Sequence, residues 1–172
     1  MAILSILQYP DERLKKAAKP VDVINERVRK IVADMMETML AAGGIGLAAN
    51  QVNIQERIIV TDLSGHGAAK MVFINPKILK KEGKILWTEG CLSVPEYRDE
   101  VERAAYIEVQ AFDEYGNPFS LGAFDLLAVC LQHEIDHLDG RLFIEKLSTL
   151  KQKRLRGKLE KLDKKKEKRA CA

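Results

Sequence analysis

The sequence predicts an α+β fold in which short, mostly antiparallel strands surround a central helix. Apolar residues recur every three or four positions near the N-terminus and again around residue 130, as in amphipathic helices. Short β-branched and aromatic runs lie between these helices, and no helix follows each strand as a parallel sheet would require. The 172 residues, 47% of them hydrophobic, suffice for one domain with a sizeable core and exclude a disordered chain.

An N-terminal helix is expected from Val21 to Ala42. Its apolar residues fall at helical spacing, Asp22 is a candidate N-cap, and Gly43-Gly44 is a strong stop signal. Three strands are expected after it, at 57–62, 71–75 and 106–112. A turn signal lies at or after the end of each strand. The three signals are Ser64-Gly65-His66-Gly67, Asn75-Pro76 and Tyr115-Gly116-Asn117-Pro118. His66 is accordingly expected on a solvated surface loop.

Two helices are expected in the C-terminal third. The first runs from Asp125, a candidate N-cap, to Asp139, with Gly140 as the residue that ends it. The second starts near Ser148 and frays after Asp163. Its apolar positions, which we expect to dock on the body, are Leu155, Leu159 and Leu162. Because no linker precedes residue 150, we expect one domain over residues 1–150 and a basic helical tail over 151–172 that extends it.

Charge is distributed unevenly along the chain. Residues 151–172 contain 11 Lys and Arg against three Asp and Glu, whereas residues 1–150 contain 17 against 22. A basic tail on a mildly acidic body favours contact with RNA phosphates without sequence preference, although a solvated helix end is the simpler interpretation. No run approaches 18 apolar residues, so no membrane span is expected. Three sparse cysteines and the lack of a signal-like N-terminus favour a reducing, cytoplasmic location.

The strongest chemical signal is His133-Glu134-Ile135-Asp136-His137. Two histidines at positions i and i+4 of a helix lie on one face, as ligands of one metal ion must. On a helical wheel Glu134 shares their apolar side, and a metal with its bound water would satisfy a carboxylate buried there. The opposite arc is polar, and it consists of Gln132, Asp136, Asp139 and Asp125.

Spacing alone leaves the third metal ligand open. In a metalloprotease with this motif a downstream carboxylate completes the site, and the candidates are Glu145 and Glu160. The upstream rival is Cys91 in the segment EGCLS, since a bound thiol becomes a thiolate. Glu89 of the same segment is a candidate ion-pair partner of Arg98 or Arg103.

The glycine-rich segment at 44–51 formally fits a dinucleotide-binding fingerprint, but its context argues against that function. Such a fingerprint follows a strand and opens a helix, whereas this segment follows a helix and leads into a strand. A loop or edge strand that pairs with an extended peptide is the better interpretation, with Gln51 supplying a side-chain amide.

Three segments together closely resemble the peptide deformylases, bacterial and organellar enzymes that remove formyl groups from nascent chains. They are GIGLAANQ at 44–51, EGCLS at 89–93 and QHEIDHLDG at 132–140. The similarity extends from LQYPDERL near the start to the basic C-terminal helix. The departures from the family pattern are minor, and only Trp87 bears on the substrate pocket and so on fine specificity.

The resemblance implies a role for each matched residue. The metal ligands would be Cys91, His133 and His137. Glu134 would be the general base and later the general acid, while Gln51 and the backbone N–H of Leu92 would stabilise the oxyanion. Gly46 would bind the substrate backbone, and Arg98 would contact the peptide. The methionine side chain would occupy an apolar pocket lined by Ile45, Leu126, Val129 and Cys130.

The resemblance also implies the cofactor and partners. We expect one Fe²⁺ per chain, at a site that Zn²⁺, Ni²⁺ or Co²⁺ can also occupy, although two imidazoles and a thiolate on general grounds suggest zinc. The substrates would be nascent formyl-methionyl peptides, and the tail would bind the ribosome where they emerge. We expect a monomeric cytoplasmic enzyme of N-terminal protein processing that binds neither membranes nor specific nucleic-acid sequences. The alternatives are the metalloprotease with a downstream carboxylate ligand and a non-catalytic binding module of the same fold, against which the intact set of candidate ligands, Glu134 and Gln51 argues.

Overall fold

The computed structural model describes residues 2–171. Within them lie three α-helices and seven β-strands. The helices are α1 (Glu26–Ala41), α2 (Asp125–Leu138) and α3 (Thr149–Ala170). The strands are β1 (Gly46–Ala48), β2 (Ile58–Asp62), β3 (Lys70–Glu82), β4 (Ile85–Cys91), β5 (Val94–Arg103), β6 (Tyr106–Phe112) and β7 (Pro118–Phe124). Single 3-10 turns occupy Glu12–Lys15, Ala49–Val52 and Phe143–Lys146.

The strands form two antiparallel sheets. Five of them make one sheet in the order β1-β2-β3-β6-β7, and β4 and β5 form a separate two-stranded hairpin. β1 therefore lies at an edge of the large sheet. The prediction of an α+β fold with antiparallel sheets around a central helix is confirmed, and β3 and β5 are longer than the short strands expected.

The large sheet is covered on both faces where β1 and β2 lie. Side chains of a strand alternate between the two faces of the sheet, so consecutive residues of β2 pack in different parts of the core. Ile59 packs in the cluster around α2, whereas Ile58 and Val60 pack in the cluster around α1. All five residues of β2 are consequently buried. α2 thus lies across one face of the sheet and α1 across the other.

The start of α1 differs from the prediction. The helix begins at Glu26, and its N-cap is Asn25, whose side chain accepts a hydrogen bond from the Val28 N–H. The backbone N–H and C=O of Val21 are both bound by the side chain of Asn75. Because this contact holds Val21 outside the helix, Asp22 is not the cap. The predicted stop is confirmed, with α1 ending before Gly43.

Several strand predictions need correction. β3 does not end at residue 75, because Asn75-Pro76 produces a register shift inside the strand instead of a turn. β4, β5 and β7 were not predicted, whereas β1 lies in the segment 44–51 that was expected to be a loop or an edge strand. The turn between β6 and β7 is as expected, since the Asp113 carboxylate accepts hydrogen bonds from the N–H groups of Tyr115 and Asn117. His66 lies exposed in the loop after β2, as predicted.

The ends of α2 and α3 were only partly predicted. Asp125 is the first residue of α2 and not its cap, a position held by Phe124 without a side-chain hydrogen bond. Gly140 has a φ of 74°, and a Cβ there would overlap the Lys15 carbonyl oxygen, so the chain ends α2 with glycine as expected. α3 does not fray after Asp163 but continues to Ala170, since Lys and Glu are good helix formers.

α3 docks through its first turns. Ser148 caps it as predicted, accepting from the Lys151 N–H. Leu155 is buried and Leu159 packs on the same cluster, which includes Phe143, while Leu162 is only half-buried. Among the helices of residues 2–171, none has the length and apolar character needed to cross a bilayer.

Candidate metal centre

Two chain segments bring three potential metal ligands together. α2 carries His133 and His137 on adjacent turns, and β4 ends at Cys91. The Nε2 atoms of the two histidines are 3.2 Å apart, and the Cys91 Sγ lies 3.2 Å from the His137 Nε2. The three ligand atoms all lie within 4.8 Å of one another. Two imidazole nitrogens and one sulfur that converge in this way suit a divalent transition metal.

A buried charge network orients His133. Its Nδ1 lies 2.7 Å from Oε1 of Glu89, and the Arg103 guanidinium binds the same carboxylate through Nε at 2.7 Å and Nη2 at 2.9 Å. Burial alone would raise the pKa of Glu89, but the hydrogen bonds from Arg103 and His133 lower it. An ionised carboxylate can only accept, so His133 donates from Nδ1 and turns the Nε2 lone pair toward Cys91 and His137. The predicted Glu89–Arg103 pair is present.

The environment of His137 also favours ligation. The residue is fully buried, and burial together with the neighbouring His133 lowers its pKa well below the usual range. The imidazole is therefore neutral at physiological pH, which is the form that binds metals. Phe143 packs 5.7 Å from the His133 ring, centroid to centroid, and closes one side of the centre.

Glu134 of α2 lines the cavity beside Cys91 and His133, and one of its two carboxylate oxygens is unsatisfied. Its Oε2 is buried and has no hydrogen-bond partner among residues 2–171. Burial raises its pKa to about 7. Gly46 of β1 lies directly opposite, and a Cβ at that position would come within 2.6 Å of the Glu134 Oε1 and 2.7 Å of the Cys130 Sγ. The edge strand can approach α2 this closely only because residue 46 is glycine.

Gln51 lies in the 3-10 turn after β1, where its side chain is fixed at both ends. Oε1 accepts a hydrogen bond from the Ala48 N–H at 2.9 Å. Nε2 donates to the Ser93 hydroxyl at 3.1 Å and lies 3.7 Å from the Cys91 Sγ. The amide is therefore held beside the thiol with little rotational freedom. Leu92 follows Cys91 directly and lines the cavity that opens beside Cys91 and His133.

The N-terminal segment forms hydrogen bonds with both the turn that contains Gln51 and the segment after Cys91, a function that the sequence did not reveal. The N–H of Leu7 donates to the Gln51 carbonyl, and the N–H of Tyr9 donates to the Ser93 carbonyl, both at 2.7 Å. The Gln8 side chain binds the carbonyl of Leu92. Ser93 is also a site residue that was missed. The only available signal was its place next to Cys91-Leu92.

A cavity of about 510 Å³ opens beside the three ligands. The candidate substrate residues all line it, and they are Ile45, Gly46, Arg98, Leu126, Val129 and Cys130. Trp87 forms part of the same wall, and Arg98 is exposed at the rim. Burial raises the pKa of the Cys130 thiol, which is consistent with the apolar wall expected there. The alternative third ligands do not reach this place, since Glu145 and Glu160 are both exposed and outside the ligand cluster.

Comparison with known proteins identifies the family. The family model for polypeptide deformylase matches residues 3–153. The chain belongs to this family. The resemblance seen in the three sequence motifs is therefore confirmed, and with it the expectation of an enzyme.

Solved structures of other deformylases share this fold. A peptide deformylase from Legionella pneumophila is 45% identical, with 96% of this chain and 98% of that chain covered and a TM-score of 0.91. The enzyme from Synechococcus elongatus, solved with actinonin, is 40% identical over 91% and 88% of the two chains, with a TM-score of 0.87. A deformylase from Plasmodium falciparum is 33% identical over 94% and 96%, also with a TM-score of 0.87. The similarity therefore spans nearly the whole chain.

Proposed function

We propose that the protein hydrolyses the N-terminal formyl group of formyl-methionyl nascent peptides and releases formate. Membership of the deformylase family gives the class of reaction. The observation that carries the proposal is the buried carboxylate of Glu134 beside three converging potential ligand atoms at the wall of a cavity, with one oxygen, Oε2, unpartnered among residues 2–171. Such a carboxylate is positioned to move a proton at a metal centre.

We propose Fe²⁺ as the working metal, held by Cys91, His133 and His137, with Zn²⁺, Ni²⁺ and Co²⁺ able to bind the same donors. The donor set fits all four, because imidazole and thiolate are ligands that these metals share. When bound, such an ion lowers the pKa of a water toward about 7 and polarises a carbonyl oxygen. Protein purified without oxygen should contain iron and lose activity in air. Oxygen-insensitive activity with stoichiometric zinc would exclude iron as the working metal.

Glu134 carries the proton in this mechanism. Its carboxylate accepts a proton from the attacking water as the new C–O bond forms at the formyl carbon. It then donates that proton to the peptide nitrogen as the C–N bond breaks, which leaves formate and a free amine. A pKa of about 7 suits both steps near neutral pH.

Gln51 and Leu92 supply the hydrogen bonds for the developing oxyanion. The Gln51 amide is already fixed by Ala48 and Ser93, so it needs little reorganisation during the reaction. Leu92 directly follows the proposed thiol ligand in the chain and lines the same cavity, so its backbone N–H is the second proposed donor. Loss of one such donor typically lowers the rate by about 10²–10³.

The edge strand and cavity hold the peptide. β1 has a free edge in the sheet, so the backbone of Gly46 can pair with an extended substrate. The methionine side chain enters the apolar wall formed by Ile45, Leu126, Val129 and Cys130, and Arg98 contacts the peptide at the rim. Because the wall is apolar, a charged residue in place of methionine should bind poorly.

A peptide assay tests the reaction directly. Formate release from a formyl-Met peptide should be rapid with the wild-type protein and fall by about 10²–10⁴ in Glu134→Gln, which retains the shape but not the base. Bound metal, measured by mass spectrometry, should remain stoichiometric in this variant. Unreduced turnover by Glu134→Gln would contradict the mechanism, and cleavage within an unformylated peptide would favour a protease.

We further propose that the protein is a monomeric cytoplasmic enzyme whose catalytic domain is formed by residues 1–150. Its basic tail, 151–172, binds ribosomal RNA at the place where nascent chains emerge. The outer part of α3 is exposed and basic, whereas Leu155 is buried against the body. The triple variant K164Q/K165Q/K166Q therefore removes charge without disturbing the docked turns. It should deformylate free peptides normally and bind ribosomes more weakly, with a smaller salt dependence. Unchanged ribosome affinity would contradict this role.

A further inference from the structure

α2 has a second polar face, directed away from the two histidines. Gln132, Asp136 and Asp139 lie on this face, as the helical wheel predicts, and line a second cavity of about 580 Å³. β3 and the turn that follows it form the opposite wall. The volume falls within the range of small-molecule sites, and none of the reaction chemistry described above uses it.

The lining of this cavity is strongly basic. Seven cationic side chains and three carboxylates surround it. The cations are Arg57, Lys77, Lys81, Lys84, Arg103, Arg141 and Lys146, and the carboxylates are Glu102, Asp136 and Asp139. A concave surface with an excess of one charge focuses the electrostatic potential and concentrates ions of the opposite sign.

Part of this charge is neutralised within the cavity wall. Arg57 pairs with Asp139 at 2.9 Å, and Lys84 pairs with Glu102 at 3.1 Å. Asp136 accepts from the buried Arg103 and lies 3.8 Å from the Lys146 Nζ. All three carboxylates are therefore already engaged by cations of the same wall.

Three cations of the cavity remain without a carboxylate. Lys77, Lys81 and Arg141 form no ion pair with any residue between positions 2 and 171, and all three are exposed. Lys77 and Lys81 approach from β3, whereas Arg141 approaches from the segment after α2. The excess positive charge thus comes from two sides of one concave surface.

We propose that this cavity binds a ligand that carries phosphate groups, with Lys77, Lys81 and Arg141 as its contacts. Arginine binds phosphate oxygens through two parallel N–H groups, and lysine acts as a point charge beside them. The phosphates belong either to a free oligophosphate compound or to the backbone of RNA. The basic helix α3 starts three residues after Lys146 and so begins next to the cavity, which would place RNA bound to that helix beside it.

Calorimetric titration of the full-length protein with sodium pyrophosphate at low salt tests this site. Wild-type protein should bind, and K77Q/K81Q should bind at least about ten-fold more weakly, because it lacks two of the three proposed charge-assisted contacts to phosphate. K30Q/K70Q is the matched control, since it removes the same charge from exposed positions outside the cavity and should bind like the wild type. Equal affinity in the two double variants, or no binding by the wild type, would overturn the proposal.

Two further measurements make the outcome unambiguous. Formate release and the melting temperature should be unchanged in K77Q/K81Q, since neither lysine belongs to the metal centre. If that variant is destabilised, Arg141→Gln provides an independent test with the same expected weakening. A short single-stranded RNA that displaces pyrophosphate identifies RNA backbone as the source, whereas failure to displace it identifies a free phosphate compound.

Discussion

β1 approaches α2 closely at Gly46, and Gly46→Ala tests whether catalysis depends on this approach. A Cβ at residue 46 would lie 2.6 Å from the Glu134 Oε1 and 2.7 Å from the Cys130 Sγ. Ordinary van der Waals contact needs at least about 3.4 Å, so either the strand or both side chains must shift by several tenths of an ångström. The carboxylate cannot retreat freely, because it is buried between helix and strand.

The size of the effect follows from this displacement. Overpacking of a buried site typically costs about 1–3 kcal/mol of folding stability. Misplacement of a reacting group by about 1 Å can lower the rate by about 10², so we expect kcat to fall by about 10–10² in Gly46→Ala. The three atoms nearest to the new methyl group belong to Glu134 and Cys130 and not to the candidate metal ligands, so metal content should be unchanged.

The assay measures kcat and KM for formate release, with thermal unfolding measured in parallel. Gly157→Ala is the matched control, because a Cβ there meets nothing within 4 Å and lies in the interior of α3. That control should keep full activity and gain up to about 1 kcal/mol of helix stability. A Gly46→Ala protein with wild-type kcat and stability would refute the argument that close strand approach positions Glu134.

Other substitutions test the third metal ligand, the buried Glu89–Arg103 pair and the cap of α3. Cys91→Ala should lower the bound metal per chain, measured by mass spectrometry, whereas Glu145→Ala should leave it unchanged; the reverse pattern would favour a carboxylate as the third ligand. Arg103→Met should destabilise the fold by about 3–5 kcal/mol in denaturant unfolding, because it leaves the Glu89 carboxylate buried without its cation, and a loss below about 1 kcal/mol would contradict this. Ser148→Ala should cost about 1 kcal/mol through the lost cap of α3, and an unchanged unfolding midpoint would show that docking alone sets the start of that helix.

Local patterns predicted the helices better than their boundaries. The periodicity of α1 was readable, yet both Asp22 and Asn25 are suitable caps by residue type. The choice between them depends on Asn75, which binds the backbone of Val21 from a position 54 residues away. A contact of that separation leaves no mark in a window of neighbouring residues, so the helix start could not be placed from sequence.

The hairpin of β4 and β5 was missed for a related reason. Most residues of β5 are charged, and few residues of either strand are buried, so the hydrophobic alternation that marks a strand is weak. Yet this hairpin delivers Cys91 to the histidines. Because the hairpin itself was not predicted, the spacing of the histidine motif could not choose between Cys91 and a downstream carboxylate as third ligand. The combination of three motifs could.

The histidine pair was predictable because one helix contains it, whereas the rest of the centre depends on contacts between distant segments. Glu89 joins His133 to Arg103, and the Leu7 and Tyr9 N–H groups hold the loops that carry Gln51 and Ser93. Each of these contacts fixes a side chain or loop before substrate arrives, which reduces the reorganisation needed in the reaction. The N-terminal segment is thus a positioning element of the centre, although it contributes no ligand of its own.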